Sequence, residues 1–515
     1  MSTAVGFTEL WTEAIRRAPD DVFLVFEAAD SSVCQWTYSQ FDSLVERVGA
    51  WLGDQGVGHG DAVHLALTNS PAFVAIWVAA NRLGAWIVPS DPQAASAELA
   101  GHIGRTRPRV GFCAPRRADV YRNAVAGGGS TMTVVEVDEA DCELALFGNC
   151  AAVTWPMLSP MDRAAVMFTS GTTGTPKGVE ITQANYAFAG TTMAAAVALR
   201  AEHRQIVVLP MFHANAQYYS VASAIAVGAS VALMHTFSAS QFLRQCATHR
   251  ATHASLFAAP IRMILARGAT PVDGVALQHC WYAMNISDDQ YATLSGLLGC
   301  RPRQLYGMTE TIPAVLTDDA VQIVSSSIGF PTAGCQVDVQ RPDGSSVDPD
   351  EVGEIVVGGH PGTTLFAGYL DDPVTTAASY RNGWFLTGDR ARRDAAGRHV
   401  FDGRRSDVLK VAGENVSTVE VEQVVSAHPD VLEAAVVGQP DAVRDEVPVA
   451  FVVARDPAHP PTIDELTEWC SARLGKAKRP RQITLVDQLP RTSVGKIRKF
   501  LLREPHAETI RTESR

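Results

Sequence analysis

The sequence contains no uninterrupted apolar run long enough to cross a bilayer. Its most apolar stretches are AFVAIWVAANRLGAWIVP, which Asn81 and Arg82 interrupt, and the shorter VASAIAVGASVALM. A membrane-spanning helix needs about 20 mainly apolar residues, so both stretches are predicted to be buried core segments. The first residues, MSTAVGFTELWTEAIRRAPD, have the pattern of an amphipathic helix and not that of a secretory signal. We therefore expect no membrane span and a cytoplasmic location.

Cysteine spacings typical of metal sites are also absent. The 9 cysteines among 515 residues include no CxxC pair and no Cys/His cluster. Without an export signal they are expected to be reduced side chains that pack in the core.

Positive charge is in deficit. Lys and Arg number 43 against 55 Asp and Glu, which gives a net charge of -12 and a pI near 5.6. This balance argues against broad nucleic-acid binding and against attachment to an anionic membrane. An anionic ligand would need a locally positive pocket.

Strand-like apolar runs alternate with helical periodicity along the chain, without a fixed-period repeat. The stretch YSQFDSLVERVGAWLGDQG places five apolar residues on one helical face, and DAVHLALTNS is predicted to be the strand that follows. Such alternation is typical of α/β architecture with substantial parallel sheet. A chain of this length is longer than one hydrophobic core usually supports, so at least two domains are expected. The apolar residues of the helical face are Phe41, Leu44, Val45, Val48 and Leu52.

The domain boundary is predicted near Asp402 and Gly403. There HVFDGRRSD sets a glycine and two arginines after an apolar strand, and a compact segment follows. We expect domains at 1–402 and 403–515. The second contains predicted strands at LEAAVVG and VPVAFVVA and a helix at IDELTEWCSARL, which is enough for a small α+β domain.

The stretch MFTSGTTGTPKGVE surrounds one lysine with hydroxyl side chains and glycines. RAAVMF is the predicted strand that leads into this loop, whose glycines allow close backbone approach and whose amides can form an anion-binding concavity. Lys177 supplies a charge suited to phosphate, so a polyphosphate would satisfy the whole set. A flexible Ser/Thr/Gly surface loop has the same composition. The spacing of a P-loop NTPase, G-x-x-x-x-G-K-[ST], is absent.

This stretch resembles the phosphate-loop signature of the adenylate-forming superfamily, which includes acyl- and aryl-CoA synthetases, nonribosomal peptide adenylation domains and luciferases. MFHANAQ and NIS are most similar to crotonobetaine and carnitine CoA ligases. The resemblance implies an α/β fold with a large N-terminal domain of mixed and parallel sheets and a small, mobile α+β C-terminal domain. The further motifs, in superfamily order, are PMFHANAQ, LYGMTET, GWFLTGD, GRRSDVLKVAGENV and PRTSVGK.

The resemblance implies an ATP-dependent, AMP-forming acid–CoA ligase. A substrate carboxylate would attack the α-phosphorus of ATP, and the thiol of coenzyme A would then displace AMP from the acyl-adenylate. ATP, Mg²⁺ and coenzyme A are the implied cofactors, and a small carboxylic acid is the substrate. Two alternatives stay open: transfer to the phosphopantetheine of a carrier protein, and a catalytically silent nucleotide-binding relative.

By the same resemblance, the nucleotide contacts come from several motifs. Glu310 is a hard oxygen ligand for Mg²⁺ beside the Thr309 hydroxyl, and both are predicted to be catalytic. Tyr306 offers a flat face for adenine, and Asp389 can accept both ribose hydroxyl protons. Three of these residues also have a plain structural alternative. Glu310 could be a charge at a helix N-terminus, Tyr306 a core tyrosine and Asp389 a turn aspartate. The predicted ATP- and AMP-binding residues are Thr169, Ser170, Gly171, Thr172, Thr173, Gly174, Lys177, Asn285, Tyr306, Gly307, Met308, Thr309, Asp389 and Arg404.

Five residues are candidates for the acyl pocket. The stretch FHANAQYYS carries no acidic residue to pair with an ammonium group, which disfavours an α-amino acid and favours a simple or hydroxylated organic acid. One candidate, the histidine, could equally be a satisfied core residue. The five candidates are His213, Asn215, Gln217, Tyr218 and Trp281.

The C-terminal domain contributes the remaining predicted residues. Lys496 is the implied catalytic lysine, although RTSVGKIRKF alone is equally typical of a basic solvated tail. Gly413 leaves room for a pantetheine arm beside Glu414, and both are predicted to bind coenzyme A. The sequence departs from the superfamily at the hinge, where Ser406 replaces the usual aspartate or lysine. It also departs at 283–285, which is bulkier than the Gly-Ala-rich strip of many relatives.

Overall fold

The structure, a computed structural model, describes most of the chain. The described residues are 5–148, 153–169, 176–284, 286, 288–319, 327–404, 408–411, 414–441, 444–491 and 497–503. They fall into two compact units. The first comprises 1–325, 329–337 and 357–385, and the second comprises 326–328, 338–356 and 386–515. The domain boundary between 402 and 403 stays a prediction.

Helices are distributed over both units. In chain order the α-helices are α1 (Phe7–Arg17), α2 (Tyr38–Asp54), α3 (Pro71–Arg82), α4 (Ser96–Thr106), α5 (Ala118–Gly127), α6 (Gln183–Ala196), α7 (Ala222–Val227), α8 (Phe242–Thr248), α9 (Ala258–Ala266), α10 (Asp288–Leu298), α11 (Pro373–Ala378), α12 (Thr418–Ser426) and α13 (Ile463–Arg473). Short 3₁₀ helices cover Pro115–Arg117, Ala145–Phe147, Thr309–Thr311 and Lys499–Leu502, and a π-helix covers Asn215–Val221.

Within the described residues, the strands form four sheets. In chain order they are β1 (Val22–Glu27), β2 (Val33–Thr37), β3 (Ala62–Ala66), β4 (Trp86–Pro89), β5 (Val110–Cys113), β6 (Thr133–Glu136), β7 (Arg163–Thr169), β8 (Lys177–Thr182), β9 (Arg204–Val207), β10 (Ser230–Met234), β11 (His253–Phe257), β12 (His279–Ala283), β13 (Arg303–Tyr306), β14 (Leu316–Thr317), β15 (Phe330–Pro331), β16 (Gln336–Gln340), β17 (Val352–Gly358), β18 (Gly368–Tyr369), β19 (Tyr380–Arg381), β20 (Trp384–Arg393), β21 (His399–Arg404), β22 (Val408–Val411), β23 (Glu414–Ser417), β24 (Val431–Asp441), β25 (Asp445–Ala454) and β26 (Gln482–Leu485).

Two large sheets dominate the first unit. The nine-stranded sheet has the order β15-β14-β13-β12-β11-β9-β10-β1-β2 and is parallel from β13 to β1, with antiparallel edges. The seven-stranded sheet has the order β18-β8-β7-β4-β3-β5-β6, with β18, β8 and β7 antiparallel and the rest parallel. The predicted α/β class with mixed and parallel sheets is confirmed.

Two five-stranded sheets complete the fold. One contains β16, β17, β19, β20 and β21. The other has the order β23-β22-β25-β24, and β26 adds to β25 in parallel. The latter sheet, with α12 and α13, forms the compact α+β segment that the sequence predicts, and its strands β24 and β25 and its helix α13 lie where the sequence places them.

Local capping explains why α2 begins where it does. The amide of Gln40 donates to the Thr37 hydroxyl at 3.2 Å, and the Gln40 side chain accepts from the Thr37 amide at 2.9 Å. This reciprocal pair satisfies two amides that a helix N-terminus otherwise leaves unpaired. The five apolar residues predicted to share one face of this helix are all buried, so the helical prediction is confirmed.

The apolar stretch of α3 lies in the core. Ser70 caps the helix by accepting from the Phe73 amide at 3.2 Å, and Pro71 occupies the first turn, where its missing amide costs nothing. Residues 71–81 of this helix are all buried, as predicted. Within the part of the chain that the structure describes, no helix has the length and apolar character that spanning a membrane requires.

The expectation that the cysteines are reduced is wrong for two of them. Cys34 in β2 and Cys142 after β6 form a disulfide, with their Cα atoms 6.4 Å apart. They are separated by 108 residues in the sequence, so no local spacing could indicate the pair. The free cysteines of the described residues are the buried Cys113, Cys246, Cys280 and Cys470 and the half-buried Cys300 and Cys335.

Replacing Trp11 with alanine is expected to lower the free energy of unfolding of the first unit by about 3–5 kcal/mol. The indole is fully buried against Phe23, at 5.0 Å between ring centroids, and its Nε1–H donates to Asp42 at 2.8 Å. The substitution removes both the packing and the hydrogen bond. Urea denaturation followed by intrinsic fluorescence measures the change. Val33→Ala, at a half-exposed position, is the control and should cost less than about 0.5 kcal/mol; an equal loss would contradict the core role of Trp11.

Candidate active site

The predicted phosphate loop joins two antiparallel strands. Thr169 ends β7 and Lys177 begins β8, and the two residues pair directly across the hairpin. Their side chains therefore flank the base of the loop. The predicted loop residues Ser170, Gly171, Thr172, Thr173 and Gly174 lie outside the described residues.

Lys177 is connected to Glu310 through Tyr369. The Lys177 Nζ atom lies 4.6 Å from the centroid of the Tyr369 ring, and the Tyr369 hydroxyl donates to Glu310 Oε1 at 3.0 Å. Burial, with a smaller contribution from the Glu310 carboxylate, raises the pKa of the Tyr369 hydroxyl. The hydroxyl therefore stays protonated and can act as a donor. The structure thus brings together two predicted residues from distant motifs.

Tyr369 is a site residue that the sequence analysis missed. It lies in β18, which pairs with β8 so that Tyr369 is opposite Val179. This pairing brings its ring beside Lys177. The string AGYL carries no charge or ligand pattern of its own, and only the strand pairing identifies it.

Glu310 is held by the turn that follows β13. It is the central residue of a 3₁₀ helix and is buried. Its carbonyl accepts from the Phe366 amide at 2.9 Å, and the Met308 amide donates to the Thr311 hydroxyl at 3.0 Å. Ile312, directly after the helix, has φ of +70°, an unusual conformation for a β-branched residue. Such local strain is concentrated at functional sites.

The glycine of LYGMTET is required by close packing. A Cβ at Gly307 would lie 3.0 Å from both the Ala314 Cα and the Pro313 carbonyl oxygen. A side chain would push this backbone away. Tyr306, the predicted adenine contact, precedes this glycine at the end of β13 and is largely buried. Thr309 and Met308 are half-buried beside it.

Asp389 and Arg404 form an ion pair in the second unit. They are opposite each other on the antiparallel strands β20 and β21, and Arg404 Nε donates to Asp389 Oδ1 at 3.0 Å. The Asp389 amide donates to the Thr387 hydroxyl at 3.1 Å, and Gly388 has φ of +74°. Asp389 is therefore a buried strand residue and not a turn residue. The structure brings these two predicted nucleotide-binding residues together.

The predicted acyl-pocket residues 215, 217 and 218 lie on the π-helix. Helical turns of this kind are rare and are frequently found at functional sites. Both polar side-chain atoms of Gln217 form hydrogen bonds within the protein. Its Oε1 accepts from the Tyr186 hydroxyl, and its Nε2 donates to the Met211 carbonyl at 2.6 Å. This amide holds the π-helix in place.

Three neighbouring side chains keep buried polar atoms without hydrogen-bond partners among the described residues. They are His213 at Nε2, Asn215 at both side-chain atoms and Tyr218 at its hydroxyl. Burial lowers the pKa of His213 to about 4, so the imidazole is neutral at pH 7. Buried polar atoms are almost always hydrogen-bonded. A cluster of this kind therefore fits a polar ligand.

Trp281 lies on β12 and is buried. Its ring centroid is 5.0 Å from the Arg303 guanidinium carbon and 4.3 Å from the centroid of the His279 ring. These contacts pack the indole against the sheet. Its role in the acyl pocket stays a prediction.

Several predicted site residues lie outside the described residues. They are Asn285, Ser406, Gly413 and Lys496; Glu414 begins β23, and its side chain is likewise outside. Within the described ranges, no group of three or more His, Cys, Asp or Glu residues could hold a metal ion.

Comparison with known proteins identifies the family of this chain. The family model for AMP-binding enzymes matches residues 11–370, and the model for the C-terminal domain of these enzymes matches 420–496. A crotonobetaine/carnitine–CoA ligase from Citrobacter koseri is 30% identical over 510 residues, which covers 95% of this chain and 97% of the relative.

Solved structures share the fold over nearly the whole chain. The o-succinylbenzoate CoA synthetase of Bacillus subtilis, in complex with its acyl-adenylate intermediate, has a TM-score of 0.84 and 25% identity, with 96% of this chain and 98% of that chain covered. The anthranilate CoA ligase AuaEII, in complex with anthranoyl-AMP, has a TM-score of 0.88 and 23% identity, with 98% and 97% covered. The chain therefore belongs to the family of AMP-binding enzymes and contains both the large AMP-binding region and the C-terminal domain of that family.

Proposed function

We propose that this enzyme activates a carboxylic acid with ATP and transfers the acyl group to the thiol of coenzyme A. The observation that most directly supports this proposal is the contact of Tyr369 with both Lys177 and Glu310. It connects a cation at the base of the phosphate loop to a buried carboxylate. The relatives named above, which are CoA ligases, support the same reaction.

In the first step a carboxylate oxygen of the acid attacks the α-phosphorus, and the bond from that phosphorus to the bridging oxygen breaks. The products are the acyl-adenylate and pyrophosphate. Negative charge grows on the leaving pyrophosphate, and fixed cations and donors stabilise it without reorganisation. Lys177 supplies such a charge at the loop, and Thr169 adds a hydroxyl beside it.

The site fits Mg²⁺ when a nucleotide is bound. Mg²⁺ in nucleotide sites usually takes one or two carboxylates and obtains its other ligands from phosphates and water. Glu310 provides a buried carboxylate, and the next residue towards the N-terminus, the half-buried Thr309, provides a hydroxyl. The ion would neutralise phosphate charge. Tyr369 orients the Glu310 carboxylate by donating to one of its oxygens.

In the second step the sulfur of the thiol attacks the acyl carbon, and AMP leaves with the electrons of the carbon–oxygen bond. In our proposal Gly413 and Glu414 bind the pantetheine arm, after a rotation about Ser406 that withdraws Lys496. Withdrawal of that lysine separates the two half-reactions. Coenzyme A is the preferred acceptor, and a cytoplasmic location belongs to the same proposal. A carrier protein presents the same thiol and is the alternative acceptor.

The unpartnered groups on and beside the π-helix favour a substrate with neutral polar atoms. His213 is uncharged at pH 7, and Asn215 and Tyr218 are neutral. These groups can donate to and accept from a hydroxyl or carbonyl, whereas no carboxylate among them would balance an ammonium group. We therefore propose a hydroxylated organic acid.

The test is pyrophosphate exchange into ATP with a panel of acids, followed by AMP release with coenzyme A or with a phosphopantetheinylated carrier. The panel contains hydroxy acids with their deoxy analogues, carnitine, crotonobetaine, benzoate and α-amino acids. We expect the fastest exchange with a hydroxy acid. Absence of exchange with every acid would favour a silent relative, and exchange without turnover on coenzyme A would favour the carrier.

Replacing Asn215 with alanine is expected to raise the KM for the preferred hydroxy acid about five- to tenfold, because one neutral hydrogen bond is lost. The KM for the deoxy analogue should rise less, and the KM for ATP should not change. Initial-rate exchange assays measure all three. Ser220→Ala, another buried polar position of the same π-helix, serves as the control. Equal effects on both acids would place Asn215 outside the acyl pocket.

A further inference from the structure

Helix α4 lies beside the stem of the phosphate loop, and its Arg105 contacts the chain before the loop, the chain after the loop and the segment that follows β18. We propose that Arg105 is a positioning residue, which holds the two ends of the phosphate loop and the strand of Tyr369 in one arrangement before ATP binds. This inference rests on the proposed function, because it assigns Arg105 to the triphosphate part of the same site.

The contacts of Arg105 come from both ends of the guanidinium group. Its Nη1 donates to the carbonyl of Pro176 at 2.6 Å, and its Nη2 lies 3.4 Å from the carbonyl of Leu370. Pro176 immediately precedes Lys177, and Leu370 immediately follows Tyr369. One side chain therefore fixes the two segments that bring Lys177 and Tyr369 together.

The same guanidinium also contacts the strand that enters the loop. Its central carbon lies 5.1 Å from the centroid of the Phe168 ring, within the range of a cation–π contact. Phe168 precedes Thr169 in β7. Arg105 thus contacts the chain on both sides of the residues 170–175.

A buried network supports the same phenylalanine. His102, one turn before Arg105 on α4, stacks on Phe168 with ring centroids 4.1 Å apart and planes 4° apart. Burial, with a smaller contribution from Arg105, lowers the pKa of His102 to about 4, so the ring is neutral. Ser90 Oγ lies 2.8 Å from His102 Nδ1 and 3.0 Å from His64 Nε2. This network ties α4 to β3, so Arg105 projects from a rigid base.

The geometry explains why an arginine is suited to this position. Its planar fork presents several N–H donors in fixed directions, whereas a lysine has a single nitrogen. Only a planar group with several donors can bond to two carbonyls from separate segments and also lie over an aromatic ring. Arg105 contacts backbone and Phe168, so its effect on ATP passes through the positions of Lys177 and Tyr369. Fixing binding groups in place costs conformational entropy, and groups that are already held lose less of it when the ligand binds.

The test compares a triphosphate with a monophosphate. Arg105→Gln should weaken the binding of a non-hydrolysable ATP analogue with Mg²⁺ about fivefold, as one modest hydrogen-bonded clamp is removed. The binding of AMP, which lacks the β- and γ-phosphates, should change less than about twofold. Isothermal titration calorimetry measures both affinities. In exchange assays the KM for ATP should rise by the same factor, while kcat stays within about twofold.

Arg105→Lys should restore less than half of the lost affinity, because it keeps the charge and loses the fork. Arg16→Gln, at an exposed arginine of α1, is the matched control and should bind both nucleotides normally. Equal weakening of the ATP analogue and AMP, or full rescue by lysine, would overturn the proposal. Wild-type protein that binds neither nucleotide would contradict the proposed function and this proposal with it. Wild-type protein that binds both, with a glutamine variant indistinguishable from it, would contradict only the role of Arg105.

Discussion

Replacing Glu310 with glutamine is expected to slow acid-dependent pyrophosphate exchange by about 100- to 1000-fold, the usual effect of removing one preorganised electrostatic group from a reaction centre. The carboxylate is buried, and Tyr369 donates to one of its oxygens. Glutamine keeps the size and can still accept from Tyr369, but it removes the negative charge that balances Mg²⁺. The loss should therefore fall on the metal-dependent step and leave the fold intact.

Two measurements separate this explanation from a general defect. Thermal unfolding without ligand should be within a few degrees of wild type, whereas the stabilisation by Mg²⁺ and an ATP analogue should be lost. Tyr369→Phe is the matched variant. It removes the hydroxyl that orients Glu310 and keeps the ring beside Lys177, so exchange should fall only about tenfold. If Glu310→Gln exchanged at the wild-type rate, or if Tyr369→Phe were the more damaged variant, the assignment of Glu310 would be wrong.

The sequence was sufficient to predict the helices and strands that depend on a local pattern of residues. The buried face of α2, the alternation of strands and helices, and strands β24 and β25 follow from periodicity and turn residues, since each depends on residues close in the chain. The motifs also predicted candidate residues for the chemistry, whose roles stay predictions, and the structure connects Lys177 to Glu310 through Tyr369 and pairs Asp389 with Arg404.

Residues that act through long-range contacts could not be found this way. Tyr369 contacts Lys177 only because β18 pairs with β8, and Arg105 contacts the Pro176 carbonyl because α4 packs beside the loop stem. Neither belongs to a string with a chemical pattern. The Cys34–Cys142 disulfide has the same cause, because its partners meet only in the folded chain.

The predicted acyl pocket shows a further limit of prediction from sequence. The string FHANAQYYS predicted a set of polar candidates, but it could not divide them by task. In the structure Gln217 uses its amide to bind Tyr186 and Met211, whereas Asn215 keeps its amide atoms unpartnered among the described residues. A two-residue difference in position on a π-helix decides which of the two side-chain amides bonds to the protein and which has no partner among the described residues. Composition and spacing contain no information about that choice.

Replacing Lys496 with alanine is expected to reduce adenylate formation by about 100- to 1000-fold, because one charge that stabilises the reacting phosphate is lost. Transfer from a supplied acyl-adenylate to coenzyme A should stay within about threefold of wild type, since in our proposal the lysine is withdrawn before that step. Pyrophosphate exchange measures the first half-reaction, and thioester formation from synthetic acyl-adenylate measures the second.

The matched control is Lys478→Ala, which removes another lysine of the C-terminal domain. Lys478 forms an ion pair with Glu420 at 2.7 Å, a half-exposed interaction of small energetic weight. Both half-reactions should therefore survive in this variant. An equal loss of the two half-reactions in Lys496→Ala would mean that the lysine supports the domain as a whole, and the separation of adenylation from thioester formation would then need another cause. A selective loss of adenylation would instead place the lysine at the phosphate during the first step alone, which is the arrangement that a rotating C-terminal domain requires.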